Sequence, residues 1–420
     1  MKKKPIIISG IFIVSSLIQL ITQILITRLF GASQQVDNFL AAVTIPTWIV
    51  TVIYATLNDA LLPRLKKDDN QGEVRQDLTG LLISLGGMGV IISLVLWLLA
   101  EWLMKLVFGN AVLDLVEVIN YFRIMIWGIP IAIITVAGGS YYYLHQKLFR
   151  FPIVQLIGSV TNLLVLILTY PLFGIRSLVI GFLANLVIQL PMMWPRIVTK
   201  FKFFNLSPLL LAWLPLIIGV LAMRSDSLLV RSFGAGLGEG YLVYLNLLLR
   251  IFGLGTGLLT IGLQVVLLPN LVEMFERHEY QTASQLINKA KAVALVVTIA
   301  ATAMIYWLTP ELLKQLFVGG QFDMSDLQKT VELLPIFILP AIGWGVANLF
   351  AQPLIALKKV WWVGGIQLAS LVCGWLVAMT LQSSGFAILS IGAGLTILLF
   401  GGIIGNEIVW QIYKKRLLSE

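Results

Sequence analysis

Residues 79–100, TGLLISLGGMGVIISLVLWLLA, carry no charged side chain. A helix needs about 20 apolar residues to cross the hydrocarbon of a bilayer, so this stretch is predicted to span a membrane. The whole chain has the same character, with 59% apolar and 12% charged residues among 420. Soluble domains average about 45–50% apolar and about 25% charged residues. The composition therefore excludes a disordered, fibrous or ordinary soluble protein and indicates an all-α polytopic membrane protein.

Twelve stretches of this kind follow one another along the chain. No small-residue cleavage site follows Lys4 before Arg28, so the first stretch is predicted to be a retained span and not a cleaved signal peptide. The predicted spans are 5–28, 38–62, 79–104, 118–144, 152–171, 177–195, 208–230, 240–266, 290–308, 330–357, 361–380 and 387–411.

The basic residues lie mostly in the loops of one side. Among them are Lys2, Lys66, Lys67, Arg196, Lys200, Lys202 and Lys414, whereas the opposite loops contain few Lys or Arg residues. Loops with many Lys and Arg residues stay in the cytoplasm, so both termini are predicted to be cytoplasmic. Membrane topology thus accounts for the net charge of +9, and a nucleic-acid partner is not expected.

The chain contains an internal duplication. RLFGA at 28–32 returns as RSFGA at 231–235, and LLPRL at 61–65 returns as LLPNL at 267–271. LVFGN at 106–110 is echoed in the same order by LFVGG at 316–320. The order predicts two six-helix repeats, 1–205 and 206–420. Because six is an even number, the repeats are parallel, and transporters built this way hold substrate in a central cavity between the halves.

Charged residues within predicted spans are costly and therefore mark candidate functional sites. Arg224 and Asp226 lie in the seventh span, and Arg250 lies near the middle of the eighth. Arg231 follows Arg224 by two helical turns and is expected on the same face. Guanidinium groups match the oxygens of a phosphate or pyrophosphate. A mutual or interhelical ion pair is the structural alternative for Arg224 and Asp226.

Other charged residues and prolines within spans have simpler interpretations. Asp59 and Glu407 are expected to be interfacial or capped by basic groups, and Arg123 to reach the nearby outer interface. Pro46, Pro130 and Pro340 are expected to kink their helices. The glycines of Gly253-xxx-Gly257 and Gly401-xxx-Gly405 are expected to permit close helix contact, and 273–291 to form an amphipathic cytoplasmic helix.

The sequence contains no catalytic motif of a known kind. There is no P-loop, no HExxH and no GxSxG. The one cysteine, Cys373, and two histidines exclude a disulfide framework and leave little room for a metal site. We therefore expect a transporter and not an enzyme, without a cofactor, powered by an ion gradient, the membrane potential or the substrate gradient.

The stretch RLFGASQQVDNFLAAVTIP at 28–46, followed by ALLPRL at 60–65, resembles the first repeat of MurJ/MviN-type flippases. The stretch from Arg231 to Leu271 is similar to the matching part of the second repeat. These flippases belong to the multidrug/oligosaccharidyl-lipid/polysaccharide exporter superfamily. The resemblance follows the order of the whole chain.

This resemblance implies transfer of lipid II, the lipid-linked peptidoglycan precursor, from the inner to the outer leaflet of the bacterial inner membrane. It implies a cationic central cavity for the pyrophosphate-sugar headgroup. Asp37 matches the family aspartate after the FGA loop, and Arg250 matches the arginine of the eighth span. With Arg28 and Arg224 they form the candidate substrate-binding set, and Asp226 is the candidate site for a coupling sodium ion or proton.

Several positions depart from the family pattern. The arginines of the family's first span are replaced near Ser16 and Thr22-Gln23, and one in the second span near Val50. Family members typically have fourteen spans, and this chain has twelve predicted spans. At the family's sodium site, the eleventh and twelfth spans offer only Gln367, Ser370 and Thr396. Another polyprenyl-linked saccharide therefore fits as well as lipid II.

Two other functions stay open at this stage. A cation-coupled multidrug exporter of the same superfamily would need acidic rather than basic cavity residues. A non-transporting membrane scaffold would account for the missing arginines. The sequence leaves the glycan and the oligomeric state undetermined.

Overall fold

The computed structural model describes residues 3–65, 71–109, 111, 113–194 and 205–419. Among the predicted loop cations, Lys2, Lys66, Lys67, Arg196, Lys200 and Lys202 lie outside the described residues. The named elements of the described part are all helices, and the one β-bridge there is an isolated pair, Gly319 with Phe322. The chain divides into two compact units, Met1–Ile217 and Ile218–Glu420.

The first unit contains eight helices and the beginning of a ninth. They are α1 (Lys3–Phe30), α2 (Gln34–Leu65), α3 (Gln71–Leu98), α4 (Ala100–Phe108), α5 (Leu115–Met125), α6 (Gly128–Leu144), α7 (Arg150–Phe173) and α8 (Arg176–Met193). Helix α9 (Ser207–Met223) carries the chain past Ile217. At the centre of the first unit, α6 packs against α2, α3 and α8.

The second unit repeats this arrangement. Its helices are α10 (Asp226–Gly234), α11 (Tyr241–Glu276), α12 (Tyr280–Leu316), α13 (Met324–Glu332), α14 (Ile338–Ala356), α15 (Val360–Ser383) and α16 (Ala387–Ser419), with a short 3₁₀ helix at Leu334–Phe337. Helix α14 packs against α11, α12 and α16, as α6 does against its neighbours. The pairs α7–α8 and α15–α16 also correspond.

The polytopic all-α fold is confirmed. In the described part, ten helices are long and apolar enough to cross a membrane, and the bent pair α9–α10 makes an eleventh. The eighth predicted span, 240–266, falls on the continuous helix α11, whose Tyr241–Gly253 portion is apolar. Each of the twelve predicted spans thus overlaps at least one helix of the described part.

The seventh predicted span, 208–230, is not one straight helix. Helix α9 ends at Met223 and α10 begins at Asp226, with a bend of 45° between them. Ser225 Oγ donates to the Ala222 carbonyl at 2.7 Å, and the Asp226 carboxylate accepts from the Ser227 N–H at 2.8 Å. Such local side-chain bonds compete with the helical pattern. The predicted shared face of Arg224 and Arg231 is therefore wrong.

Two of the three prolines expected to kink spans instead lie in first turns. Pro130 is the third residue of α6, which follows a break after α5, and Pro340 is the third residue of α14. Proline is tolerated there because the first helical N–H groups have no partner within the helix. Only Pro46 lies inside its helix, α2.

The predicted amphipathic helix 273–291 is also absent as a separate element. Its residues form the end of α11 and the start of α12, with a turn at Arg277–Glu279 between them. Ala283 and Ile287 are buried in a core that includes Leu271, Leu349 and Trp410. The apolar face of this segment therefore packs within the second unit.

Candidate functional site

Helices α10 and α11 are joined by a hydrogen bond between two polar side chains. Arg231, in the last turn of α10, donates from Nη2 to Asn246 Oδ1 of α11 at 2.7 Å. Asn246 and Arg250 are four residues apart on α11, so they lie one above the other on one face. Asn246 therefore positions one guanidinium beside the helix face that carries the other.

Electrostatic interactions extend this contact into a cluster. Arg231 interacts with Arg250 and with Asp226, and the Asp226 carboxylate also interacts with Arg224 and the indole of Trp344. We call Arg224, Asp226, Arg231, Asn246 and Arg250 the arginine cluster. It lies wholly in the second unit, on α10, α11 and the α9–α10 break.

The charges of the arginine cluster are unbalanced. The cluster contains three guanidinium groups and one carboxylate, and that carboxylate interacts with Arg224 and Arg231. Arg231 and Arg250 are both partly buried whereas Arg224 is exposed. Partly buried cations that repel each other are stabilised by an anion that contacts them together. Guanidinium groups donate in a planar fork that matches phosphate oxygens. The cluster can therefore bind an anionic group with several oxygen atoms.

An aromatic stack lies beside the arginine cluster. The rings of Phe252 and Phe337 are stacked at 5.9 Å, and Phe337 and Trp344 at 6.3 Å. Phe252 follows Arg250 by two residues on α11, and the Trp344 indole interacts with Asp226. Apolar rings lower the local dielectric, which strengthens the attraction between guanidinium groups and an anion.

The other two predicted binding residues lie in the first unit. Arg28 is exposed in the last turn of α1, and Asp37 is buried in the first turn of α2. The turn between them contains Gly31 at φ 62°, a backbone conformation that favours glycine. The structure thus brings Arg224, Asp226 and Arg250 into one cluster and keeps Arg28 and Asp37 together at a separate turn.

In each unit, a side-chain hydrogen bond links the second spanning helix to a short helix. In the first unit, Asn38 of α2 donates to Glu117 Oε2 of α5 at 2.6 Å. In the second, Tyr244 of α11 donates to Asp326 Oδ1 of α13 at 2.7 Å. Both acceptors are three residues after an aspartate that caps its helix. This recurrence of contacts supports the duplication inferred from the sequence.

The C-terminal half of α16 carries an ion pair at Glu407. Lys291 of α12 pairs with the Glu407 carboxylate and lies over the ring of Phe350 at 4.4 Å. The prediction that a basic group caps Glu407 is confirmed. Asp59 is exposed on α2, and Arg123 lies over the Trp97 ring at 4.7 Å.

The polar residues expected near a sodium site make local contacts. The hydroxyls of Ser370 and Thr396 donate to the carbonyls of Ile366 and Gly392, one turn earlier in their helices. Gln367 packs against Gly402. No group of three or more His, Cys, Asp or Glu residues that could hold a metal ion occurs in the described part. A coupling ion stays a prediction.

Two residues of this region, Asn246 and Trp344, have no role predicted from the sequence, and Arg231 is predicted there only as a neighbour of Arg224 on one helix face. One signal was present in YLNLLLR at 244–250, where an asparagine and an arginine are four residues apart in an apolar segment. The position of the Trp344 side chain depends on how α14 packs, and no sequence pattern indicates it.

The sequence model described as "Lipid II flippase MurJ" matches residues 26–418. The chain belongs to the MurJ family. The probable lipid II flippase MurJ of Buchnera aphidicola is 22% identical over 383 residues, covering 85% of this chain and 74% of that protein. The lipid II flippase MurJ of Burkholderia cenocepacia is 24% identical over 386 residues, covering 84% and 73%.

Solved structures share the fold. The lipid II flippase MurJ in its inward closed conformation aligns with a TM-score of 0.83 at 16% identity, covering 98% of this chain and 87% of the other. An inward-facing multidrug resistance MATE transporter of the MOP superfamily aligns with a TM-score of 0.78, also at 16% identity, covering 96% of both chains. At these identities the likeness concerns the fold of the MurJ relative and of the MATE transporter alike.

Proposed function

We propose that this chain flips a lipid-linked saccharide, a lipid II-like polyprenyl pyrophosphate-sugar, from the inner to the outer leaflet of the bacterial inner membrane. It acts by alternating access and serves the synthesis of peptidoglycan or another cell-envelope glycan. Membership of the MurJ family supports the substrate class. The observation that carries the proposal is the arginine cluster, whose excess positive charge fits a pyrophosphate.

Binding of the headgroup uses the two partly buried arginines. Asn246 holds Arg231 through an Nη2 hydrogen bond at 2.7 Å, and a guanidinium presents a planar fork of N–H donors that matches phosphate oxygens. Arg250 contributes a second set of donors from the same region of α11. A pyrophosphate between them relieves the repulsion of the two cations and compensates the cost of burying them.

Asp226 has a distinct role in this scheme. Its carboxylate already interacts with Arg224 and Arg231, so it competes with an anionic headgroup for the same cations. A proton or sodium ion on Asp226 removes that competition. Ion binding at Asp226 and headgroup binding at the arginines are therefore coupled, and each favours the other.

The two alternative functions fit the arginine cluster less well. A multidrug cation would meet three arginines and one carboxylate, so its binding is opposed by charge. In a non-transporting scaffold, the partly buried guanidinium groups would cost desolvation free energy and serve no function. The proposed transport cycle makes and breaks no covalent bond, and the chain acts in it as a transporter with both termini in the cytoplasm.

Arg250 provides the test of this function. In a strain depleted of its lipid II flippase, we expect the wild-type chain to restore growth and Arg250→Ala to fail at normal protein levels. Arg250→Lys should restore growth poorly, because a lysine keeps the charge but loses the fork of donors. Arg277→Ala is the matched control, since Arg277 is exposed in a local pair with Glu273. Normal growth with Arg250→Ala would contradict the proposal.

A further inference from the structure

A cavity of about 600 Å³ opens in the first unit, between the start of α5, the end of α7 and the start of α8. One part of its lining is polar, with Asp114, Glu117, Asn120 and Arg176. The other part is apolar and includes Val116, Ile124 and Ile180, which are all exposed on the surface. Its volume is in the range of sites that bind small molecules.

The polar wall of this cavity is held by bonds to neighbouring helices. Glu117 accepts from Asn38 at 2.6 Å through Oε2 and from the Tyr121 hydroxyl at 2.5 Å through Oε1. The Tyr121 hydroxyl in turn interacts with Arg176. Asp114 is exposed and caps α5 by accepting from the Val116 N–H at 3.0 Å. Charges of both signs are thus fixed close together.

The cavity is not a general consequence of the duplication. In the second unit, Phe322 is fully buried beside Tyr244, with ring centroids 6.4 Å apart, where Tyr244 meets Asp326 of α13. Helix α16, which corresponds to α8, begins with Ala387 where α8 begins with Arg176. At the matching helix start the second unit therefore has an alanine in place of the arginine that lines the cavity.

We propose that this cavity binds a membrane phospholipid whose headgroup carries both a phosphate and a primary ammonium. Arg176 donates to the phosphate oxygens, and Asp114 and Asn120 accept from the ammonium, which offers three N–H donors. The acyl chains lie along Ile124, Ile180 and Leu183. Both helix starts lie at the ends of spans predicted to face the outside, which is the depth of outer-leaflet headgroups.

The charges of the wall select this headgroup among common lipids. Two carboxylates repel a lipid with a purely anionic headgroup. A quaternary ammonium has no N–H group to donate to Asp114 or Asn120. Only a headgroup with a phosphate and a primary ammonium satisfies the arginine and the acceptors together.

The test uses the full chain, purified and delipidated in detergent, with bound lipids counted by native mass spectrometry. Phosphatidylethanolamine, phosphatidylcholine and phosphatidylglycerol are titrated separately. We expect one phosphatidylethanolamine to bind in preference to the other two, with roughly tenfold weaker binding in Arg176→Gln, because a charge-assisted hydrogen bond is lost. Lys105→Gln, which removes an exposed cation outside the cavity, should bind as wild type does.

A second variant and a soluble competitor complete the test. Ile180→Trp fills the apolar part and should weaken lipid binding while Arg176 is retained. Soluble phosphoethanolamine, which lacks acyl chains, should compete poorly. Equal binding of the three lipids, unchanged binding in Arg176→Gln, or competition by phosphoethanolamine as strong as by the lipid would overturn the proposal. None of these outcomes bears on the arginine cluster, which lies in the other unit.

Discussion

At the scale of single residues, the arrangement of charge in the second unit distinguishes the proposed substrate contacts from a structural ion pair. Arg231 repels Arg250 and is attracted by Asp226, whereas Lys291 and Glu407 form a pair with matched charges. Two paired groups of opposite charge neutralise each other, so such a pair contributes mainly to stability. The arginine cluster has more guanidinium groups than carboxylates, so an anion that contacts it lowers the cost of burying its cations.

Asp226→Asn separates two roles for this carboxylate. The substitution keeps the size of the side chain and removes its charge. If Asp226 couples transport to an ion, the variant should melt at nearly the wild-type temperature and lose its dependence on sodium or pH in a flipping assay. A sharp fall in melting temperature with unchanged ion dependence would establish that Asp226 only neutralises the arginines, and the coupling role would be wrong.

Glu407→Gln should destabilise the second unit. The Lys291 side chain is 9% exposed and the Glu407 side chain 31%, so a largely buried ammonium loses its partner. We expect a loss of about 1–3 kcal/mol, less than for a fully buried pair because Glu407 is partly solvated. The measurement is thermal unfolding in detergent.

The double variant Lys291→Met/Glu407→Leu serves as the control for this pair. It removes both charges, so most of the lost stability should return. If Glu407→Gln unfolds at the wild-type temperature, the pair contributes no stability.

At the scale of elements, glycines decide how closely the last two helices pack. A Cβ at Gly374 of α15 would lie 2.6 Å from the Gly394 carbonyl oxygen of α16, and one at Gly405 would lie 2.5 Å from Ile366. Close contact at the Gly401-xxx-Gly405 motif is thus confirmed. No described atom lies within 4 Å of a Cβ placed at Gly253, and Gly257 lies outside the residues whose surroundings are described, so close contact at this second motif stays a prediction.

Gly374→Val should force α15 and α16 apart. Overpacking of this kind costs about 1–3 kcal/mol, and a backbone oxygen cannot move aside as a side chain can. Gly365→Val on the same helix is the matched control, since a Cβ at Gly365 meets no atom within 4 Å. We expect the melting temperature to fall for Gly374→Val only. Equal effects of the two variants would attribute the loss to helix propensity instead of packing.

At the scale of the whole molecule, the order of apolar stretches and the side on which loop charges lie determine how the chain crosses the membrane. The helices are confirmed, and their direction is a prediction from the positive-inside rule. The parallel relation of the two repeats is also a prediction, which an experimental structure would test by superposing spans one to six on spans seven to twelve.

Cysteine labelling tests the direction of the helices. Cys373 is exposed and is first replaced by alanine. In that background, a membrane-impermeant maleimide added to spheroplasts should label Lys105→Cys, predicted to lie outside. It should label Lys415→Cys only after the membrane is permeabilised, because the C-terminus is predicted to be cytoplasmic. Labelling of Lys415→Cys in intact spheroplasts would reverse the topology.

The sequence by itself determined the membrane class and the helical spans, and it predicted that Arg224, Asp226 and Arg250 belong to a functional site. Those conclusions depend on the free energy of placing apolar and charged groups in hydrocarbon, which is a property of each segment alone. Only the tertiary structure decided the break at Arg224–Ser225, the bond from Arg231 to Asn246 and the pairing of Lys291 with Glu407. Each of these depends on which helix faces meet, and residues 15 or 116 positions apart are brought together by packing that no single segment encodes.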